Sequence, residues 1–157
     1  MRLSLAILAC LIAAGPARAD CAHFKWSVEK ERQTFATATP MPAESGTAEV
    51  GKPYALTLAK GLALPVAPER PPRKDSYAAF VTVPKLDAGL YQVTLSGEAW
   101  IDVAQNGARI KSSDFSGQRD CPGVRKSVRF SLGSGPATVE ISNSSAPEIN
   151  FAISPSK

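Results

Sequence analysis

Eight short segments rich in β-forming residues, separated almost everywhere by turn signals, dominate the chain from residue 54 onward. They are 54–59, 77–83, 89–95, 98–104, 108–113, 124–132, 137–142 and 149–153. Alternation with a period of two places successive side chains on opposite faces of a strand, so each segment can bury one face. The pattern therefore predicts an all-β fold, an antiparallel jelly-roll-like β-sandwich of about eight strands.

The sequence WIDVAQNGARIKSS, residues 100–113, gives the firmest local prediction. Asn106 and Gly107 supply the two positive-φ positions of a type I′ turn, which fixes the register of a hairpin. The predicted cross-strand pairs are Val103 with Ile110, Ala104 with Arg109, and Asp102 with Lys111. The predicted core face carries Ile101, Val103 and Ile110, and the opposite face carries Trp100, Asp102, Arg109 and Lys111.

Residues 1–19, MRLSLAILACLIAAGPARA, have the pattern of a secretory signal peptide. A positive Arg2 precedes an apolar run over 3–14, and a Gly-Pro pair and an A-x-A cleavage site follow it. The run is shorter than the roughly 20 apolar residues that a spanning helix needs. We expect a mature protein that begins at Asp20, is periplasmic or secreted, and does not insert into the membrane after signal cleavage.

The mature residues 20–157 match one β-sandwich domain, with an N-terminal helix and an extended connector over 20–47. Phe24, Val28 and Phe35 recur at helical spacing and predict a helix over 27–36, which Ser27 could cap. In an oxidising compartment the two mature cysteines, Cys21 and Cys121, predict one disulfide. The Pro-rich residues 64–75, LPVAPERPPRKD, cannot form a central strand and predict a crossover.

The runs "AGLYQVTL", "AWIDVAQNG", "VRFSLGSGPATVEISN" and "INFAI" follow one another between residues 87 and 153. In their strand rhythm they resemble bacterial pre-peptidase C-terminal type β-sandwich domains. Such domains share a strand beginning Gly-x-Tyr, an inner strand leading to a tight turn, and a late Gly-containing turn. The resemblance implies a sandwich fold and an accessory, non-catalytic role, and it carries no catalytic or metal-binding residue to this chain.

Charge and motif content narrow the classes of function. Loss of Arg2 and Arg18 with the signal would leave 16 basic against 14 acidic residues, so the sequence predicts no nucleic-acid partner. His23 is the single histidine, and no phosphate-binding or zinc-protease motif occurs. We therefore expect no metal, no cofactor and no enzyme activity. A small hydrolase or lyase remains an alternative, with candidate carboxylates at Asp87, Glu98, Asp102, Asp114 and Asp120.

Two surfaces are candidates for binding. Trp100, Asp102 and Lys111 on the outer hairpin face could hold a glycan or a partner's apolar anchor, because an indole offers a large area at little entropic cost. In the alternative interpretation the N-terminal helix packs on that face. Arg119 with an outward row of Arg125 and Arg129 could bind an anionic group or an acidic exported protein, or could protect an edge strand.

The functional prediction is thus an exported non-catalytic binding or accessory protein whose ligand the sequence does not identify. The main alternative is a protein-interaction or inhibitor-like partner of another exported protein, acting through the basic strand and the Pro-rich crossover. Lys126 has the inward parity of its strand, so we expect it near a strand end or a bulge where its ammonium group reaches water.

Overall fold

The computed structural model describes residues 21–157, so the predicted signal peptide and its cleavage site lie outside the described residues. The described part contains one α-helix, one 3₁₀ turn and twelve strands. The helix α1 is Glu29–Thr34 and the 3₁₀ turn is Phe35–Thr37. The strands are β1 Thr39–Met41, β2 Gly46–Thr47, β3 Pro53–Thr57, β4 Ala59–Lys60, β5 Tyr77–Leu86, β6 Gly89–Leu95, β7 Trp100–Gln105, β8 Ala108–Ile110, β9 Asp114–Gly117, β10 Lys126–Leu132, β11 Gly135–Ser144 and β12 Glu148–Pro155.

Two six-stranded sheets enclose the main core. The first sheet has the order β1-β3-β12-β6-β10-β9, and the second has the order β2-β5-β11-β7-β8 with β4 also paired to β5. Alternate side chains of both sheets form one buried cluster. Its first-sheet members include Leu56, Val93, Leu95, Phe130, Phe151 and Ile153, and its second-sheet members include Val81, Val83, Ile101, Val103, Val139 and Ile141. The all-β prediction is confirmed, while the jelly-roll topology stays a prediction.

All eight predicted segments contain a strand, but the strand count and the purely antiparallel pairing were wrong. Four further strands, β1, β2, β4 and β9, have two to four residues each, too few to show alternation in the sequence. β1 pairs in parallel with β3, and β2 pairs in parallel with β5. The segment predicted to be an unpaired connector therefore contributes one short strand to each sheet.

The hairpin prediction is confirmed at its turn and in two of its three pairs. Asn106 and Gly107 have φ of 52° and 74°, and Val103 pairs with Ile110 and Ala104 with Arg109. The predicted pair of Asp102 with Lys111 was wrong, because β8 ends at Ile110 and Lys111 is exposed.

The N-terminal helix is shorter than predicted and lies on the first sheet. It begins at Glu29, with Val28 at the N-cap position. Ser27, one residue before the N-cap, accepts a 3.4 Å hydrogen bond at its Oγ from the Glu29 N–H. Phe24, Trp26, Val28 and Phe35 are buried with Val124 and Ala152 in a second cluster, which lies on the outer face of β10 and β12. The alternative in which this helix covers the Trp100 face was therefore wrong.

The predicted disulfide is present and holds the N-terminal segment to the loop before β10. Cys21 and Cys121 are bonded across a separation of 100 residues, with their Cα atoms 4.6 Å apart. Two further contacts continue this attachment toward β9. The Lys25 N–H donates to Ser116 Oγ at 3.0 Å, and Gln118 Nε2 donates to the His23 carbonyl at 2.9 Å.

Candidate functional site

A cleft opens at the corner where β9 and β10 of the first sheet meet β7 and β8 of the second. Its volume is about 680 Å³, and we call it the Trp100 cleft. The edge strand β8 is only three residues long, so it leaves the inward side of β9 and of the start of β10 uncovered. The charged lining residues are Glu69, Arg70, Arg73, Glu98, Asp102, Arg125 and Lys126. The apolar lining includes Ile101, Ile110, Phe115, Val128 and Phe130.

The half-buried Trp100 ring lies beside two cations. The Arg70 guanidinium carbon is 4.1 Å from the ring centroid, and Lys126 Nζ is 4.7 Å from it. Both distances are within the range of cation–π attraction. The indole Nε1–H is buried without a hydrogen-bond partner. It lies outside hydrogen-bond geometry but near enough to Asp102 to favour the ionised form of the Asp102 carboxylate.

Lys126 begins β10 and directs its ammonium group into the cleft. Nζ donates a 3.1 Å hydrogen bond to the Ala99 carbonyl. Burial lowers the pKa of Lys126 below its ordinary value, and the positive charge of Arg70 lowers it further. The expected position at a strand end is therefore confirmed, but the ammonium group is half-buried rather than free in water.

Phe115 gives the cleft an exposed aromatic edge. It shares the inward parity of Val128, its cross-strand partner, yet 64% of its surface is exposed because no strand of the second sheet covers it. Lys25 Nζ lies 5.6 Å from the centroid of its ring. Among the residues that the structure describes, Phe115 is the one large hydrophobic side chain that is exposed.

The Pro-rich residues 64–75, which we call the strap, form one wall of the cleft. Two buried carboxylates on the outer face of the second sheet accept hydrogen bonds from strap N–H groups. Asp102 Oδ2 accepts from Glu69 at 3.2 Å, and Glu140 Oε1 accepts from Val66 at 2.7 Å. Proline cannot complete a regular ladder, so side chains satisfy the strap backbone instead.

These two carboxylates are cross-strand partners in β7 and β11. Burial raises the pKa of Asp102, and the N–H of Glu69 opposes that rise. Burial likewise raises the pKa of Glu140; the N–H of Val66 opposes that rise, and the charge of Asp102 adds to it. Close carboxylates in a buried place disfavour each other's ionised form.

The far end of the strap is attached to Asn143, which has a φ of 59° next to a register shift in β11. Its Oδ1 accepts from the Arg73 N–H at 2.7 Å, and its Nδ2 donates to the Pro71 carbonyl at 3.4 Å. Asparagine tolerates the left-handed conformation better than most residues. The irregularity thus turns an amide side chain toward the strap.

Of the first predicted binding set, the structure brings Trp100 and Asp102 to the cleft and leaves Lys111 outside it. Asp102 is 4% exposed and lies under the strap, where it holds the Glu69 N–H. The face predicted to present an open indole is therefore partly covered by the strap.

The predicted row of arginines is divided. Arg125 lines the cleft and forms a 3.0 Å ion pair with Glu98. Arg129 lies on the other side of the sheet, 4.1 Å from the Trp26 ring centroid, with Nη2 donating to the Lys157 carbonyl. Arg119 is exposed in the loop before Cys121. The row fails because the N-terminal segment covers the outer side of β10.

Sequence reasoning missed Arg70, Phe115 and the cleft-facing role of Lys126. The inward parity of Lys126 was the one available signal, since a cation with core parity has to reach a cleft or a strand end. Arg70 and Phe115 join the site only through contacts between distant segments. No local pattern in the sequence identifies either of them.

Within residues 21–157, no group of His, Cys, Asp and Glu side chains is arranged to hold a metal ion. No helix in that same part of the chain is both long and apolar enough for a membrane crossing. Comparison of the chain with protein-family models, curated proteins and solved structures gives no match. The resemblance to pre-peptidase C-terminal type domains stays a prediction.

Proposed function

We propose that this chain is an exported, non-catalytic binding module built on a jelly-roll-like sandwich, with the Trp100 cleft as its ligand site. The observation that carries the proposal is the cleft itself: about 680 Å³ with an apolar floor of core residues and a charged rim. Small-molecule sites are usually concave, mostly apolar, and between roughly 300 and 1,000 Å³. An accessory role also agrees with the resemblance described above.

Export is supported by the predicted signal peptide and by the Cys21–Cys121 disulfide. Disulfides persist in oxidising compartments such as the periplasm and the cell exterior. The periplasmic or secreted location remains part of the proposal.

A non-catalytic role is favoured by the engagement of two of the three cleft carboxylates, and the third, Glu69, is exposed on the strap. Glu98 is paired with Arg125, and Asp102 accepts the Glu69 N–H. A carboxylate-dependent hydrolase needs two acids that face one substrate, one of them as proton donor. Hydrolase or lyase turnover by the purified protein that is lost in the Glu98→Gln variant would overturn this part of the proposal.

The experiment for the binding site uses two neighbouring serines. Ser112 lines the cleft and Ser113 does not, and both are exposed. The purified protein is titrated with neutral oligosaccharides, uronate oligosaccharides, small organic anions and acidic peptides, while backbone NMR shifts are followed. We expect one class to perturb cleft residues, with binding lost in Ser112→Phe and kept in Ser113→Phe. No perturbation of the cleft by any class, or equal binding by both variants, would contradict the proposal.

A second candidate function is interaction with another exported protein, and the exposed ring of Phe115 favours it. Exposed aromatic side chains beside charged ones are common anchors at protein interfaces. The expected result is co-purification of one exported partner that is lost in Phe115→Ser. Arg129→Glu is a poor probe of this interaction, because Arg129 packs on Trp26 and its replacement would disturb the fold.

A further inference from the structure

The cleft contains more positive charge than its contacts neutralise. Of its four cationic side chains, Arg125 is paired with Glu98 and Arg73 donates to the Asn143 carbonyl. Neither Arg70 nor Lys126 forms an ion pair within residues 21–157. Glu98 and Asp102 attract Lys126 from beyond contact distance. The two cations beside Trp100 are therefore left without an anionic partner in contact.

Both cations lie beside the same indole, with Arg70 4.1 Å and Lys126 4.7 Å from its centroid. The charge of Arg70 lowers the pKa of Lys126, so the two cations repel each other. An anion within reach of both would offset this repulsion and accept charge-assisted hydrogen bonds. The Lys126 ammonium has three donors, and within the described residues one of them is used, on the Ala99 carbonyl.

The surface that leads away from these cations is apolar. Ile110 is partly buried against the main core, while Val128 and Phe130 belong to that core and reach the cleft from β10. Phe115 extends this surface to the cleft edge with 64% of its area exposed. A ligand with an apolar body would cover mainly Phe115 and Ile110, because Val128 and Phe130 are already almost fully buried, and the apolar area removed from water would favour binding.

We propose that the Trp100 cleft selects a small amphiphilic organic anion, whose carboxylate lies against Lys126 and Arg70 and whose apolar body lies along Ile110, Val128 and Phe115. This inference rests on the proposed binding function and specifies its ligand class. The volume of the cleft favours a small-molecule ligand over a protein partner, and the unpaired cations favour an acid over a neutral sugar.

The test uses three probes that separate charge from apolar area. Phenylacetate carries both features, phenylacetamide has the same size without the charge, and acetate has the charge without the ring. Binding is measured from NMR shifts of the lysine side chains and of the Phe115 ring. We expect phenylacetate to bind at least about tenfold more tightly than either other probe, as charged hydrogen bonds contribute about 1.5–3 kcal/mol. It should also raise the pKa of Lys126.

Lys126→Gln should weaken phenylacetate binding at least about tenfold and leave phenylacetamide binding unchanged. Lys111→Gln is the matched control, because Lys111 is exposed next to the cleft but does not line it. If Lys126→Gln does not fold, Arg70→Gln on the exposed strap serves the same purpose. Its expected effect has the same direction.

Two results would overturn the inference and leave the proposed function standing. One is equal binding of phenylacetate and phenylacetamide that does not depend on Lys126. The other is a cleft response to a neutral oligosaccharide with none to phenylacetate. If no probe of any class perturbs the cleft, the inference and the proposed binding function both fail.

Discussion

At the scale of single residues, the two tryptophans have opposite environments. Trp26 is 9% exposed, and its Nε1 donates a 3.0 Å hydrogen bond to Ser127 Oγ, which also bonds with Thr94 Oγ1. Trp100 has a buried Nε1 with no hydrogen-bond partner. A buried donor without a partner carries a desolvation cost, whereas a satisfied one stabilises the fold.

Trp26→Phe should lower the free energy of unfolding by about 1–3 kcal/mol, because it removes a buried hydrogen bond. Trp100→Phe should cost less, since its Nε1 has only the weak interaction with Asp102, outside hydrogen-bond geometry, to lose. Urea unfolding of the two variants gives the comparison. An equal or larger loss in Trp100→Phe would contradict the assignment of these environments.

A second residue-scale prediction concerns the contact between β1 and β2. A Cβ atom at Gly46 would lie 2.6 Å from Met41 Sδ and 2.7 Å from Met41 Cγ, which is a steric clash. Gly46→Ala should therefore destabilise the protein by about 1–3 kcal/mol, the usual cost of overpacking. Thermal unfolding of the variant measures the loss.

The matched control is the double variant of Gly46→Ala with Met41→Ala. The smaller side chain at position 41 leaves room for the new methyl group. The double variant should therefore lose less stability than the two single losses together. Simple additivity would show that Met41 is not the source of the cost.

The candidate site was predictable from sequence only in part. The hairpin pattern placed Trp100 and Asp102 on one outer face, and both reach the cleft wall. Arg70 and Phe115 reach the cleft from the strap and from β9, one before and one after the hairpin in the chain. Period-two patterns assign the face of a strand but not the segment that packs on it.

At the scale of elements, the strap is attached by side chains whose protonation changes with pH. Asp102 and Glu140 hold its N–H groups, and burial raises the pKa of both in the folded protein. The folded state therefore binds these protons more tightly than the unfolded chain does. The resulting stability is present below their ordinary pKa values of 3.8 and 4.5, and it is lost as the pH rises through the higher folded values.

Glu140→Gln should remove part of this pH dependence. The amide oxygen of Gln can still accept the Val66 N–H, but the side chain carries no charge to desolvate. Relative to the unchanged protein, the variant should gain stability as the pH rises from about 4 to 7, measured by urea midpoints. A constant difference across that range would contradict the prediction.

Asp114→Asn is the control with the opposite sign. The hydrogen bond from Lys25 lowers the pKa of Asp114, so its contribution is present above the ordinary value of 3.8 and is lost as the pH falls. The variant should therefore lose stability relative to the unchanged protein at pH 7 and less at low pH. The group is exposed, so we expect a small effect.

The fold was predictable where an element carries its own pattern. All eight segments with alternation became strands, and the Asn106-Gly107 turn fixed two pairs of the hairpin. The short strands β1 and β2 form because β3 and β5 offer backbone partners in space, which no local pattern reveals. The alternative that placed the helix on the second sheet was wrong because the disulfide limits the position of the N-terminal segment without selecting the surface that it covers.

At the scale of the whole molecule, the disulfide secures the smaller of two buried clusters. Cys121 packs with Phe24, Trp26, Val28 and Phe35, whereas the main core between the sheets shares no residue with this cluster. Breaking the bond therefore affects first the N-terminal segment and its contact with the outer side of the first sheet.

Replacement of Cys21 and Cys121 by Ser together should lower the free energy of unfolding by up to about 4.7 kcal/mol, the chain-entropy value for a loop of about a hundred residues. We expect the far-ultraviolet circular dichroism of the sheets to persist and proteolysis to begin before residue 39. Thiol titration of the native protein should find neither cysteine reactive. Free thiols there, or an unchanged unfolding midpoint in the variant, would contradict the prediction.

The strand order has a consequence for the time course of folding. β11 lies between β5 and β7, and β12 lies between β3 and β6, so the last two strands in the chain are interior strands of the two sheets. A chain emerging from its N-terminus cannot complete the second sheet before residue 144 is available, or the first sheet before residue 155 is available. Until then several strand edges are unpaired, and such edges promote aggregation. Folding of both sheets should therefore wait for the synthesis of β11 and β12, and a nascent chain that ends before β11 should need protection by a chaperone.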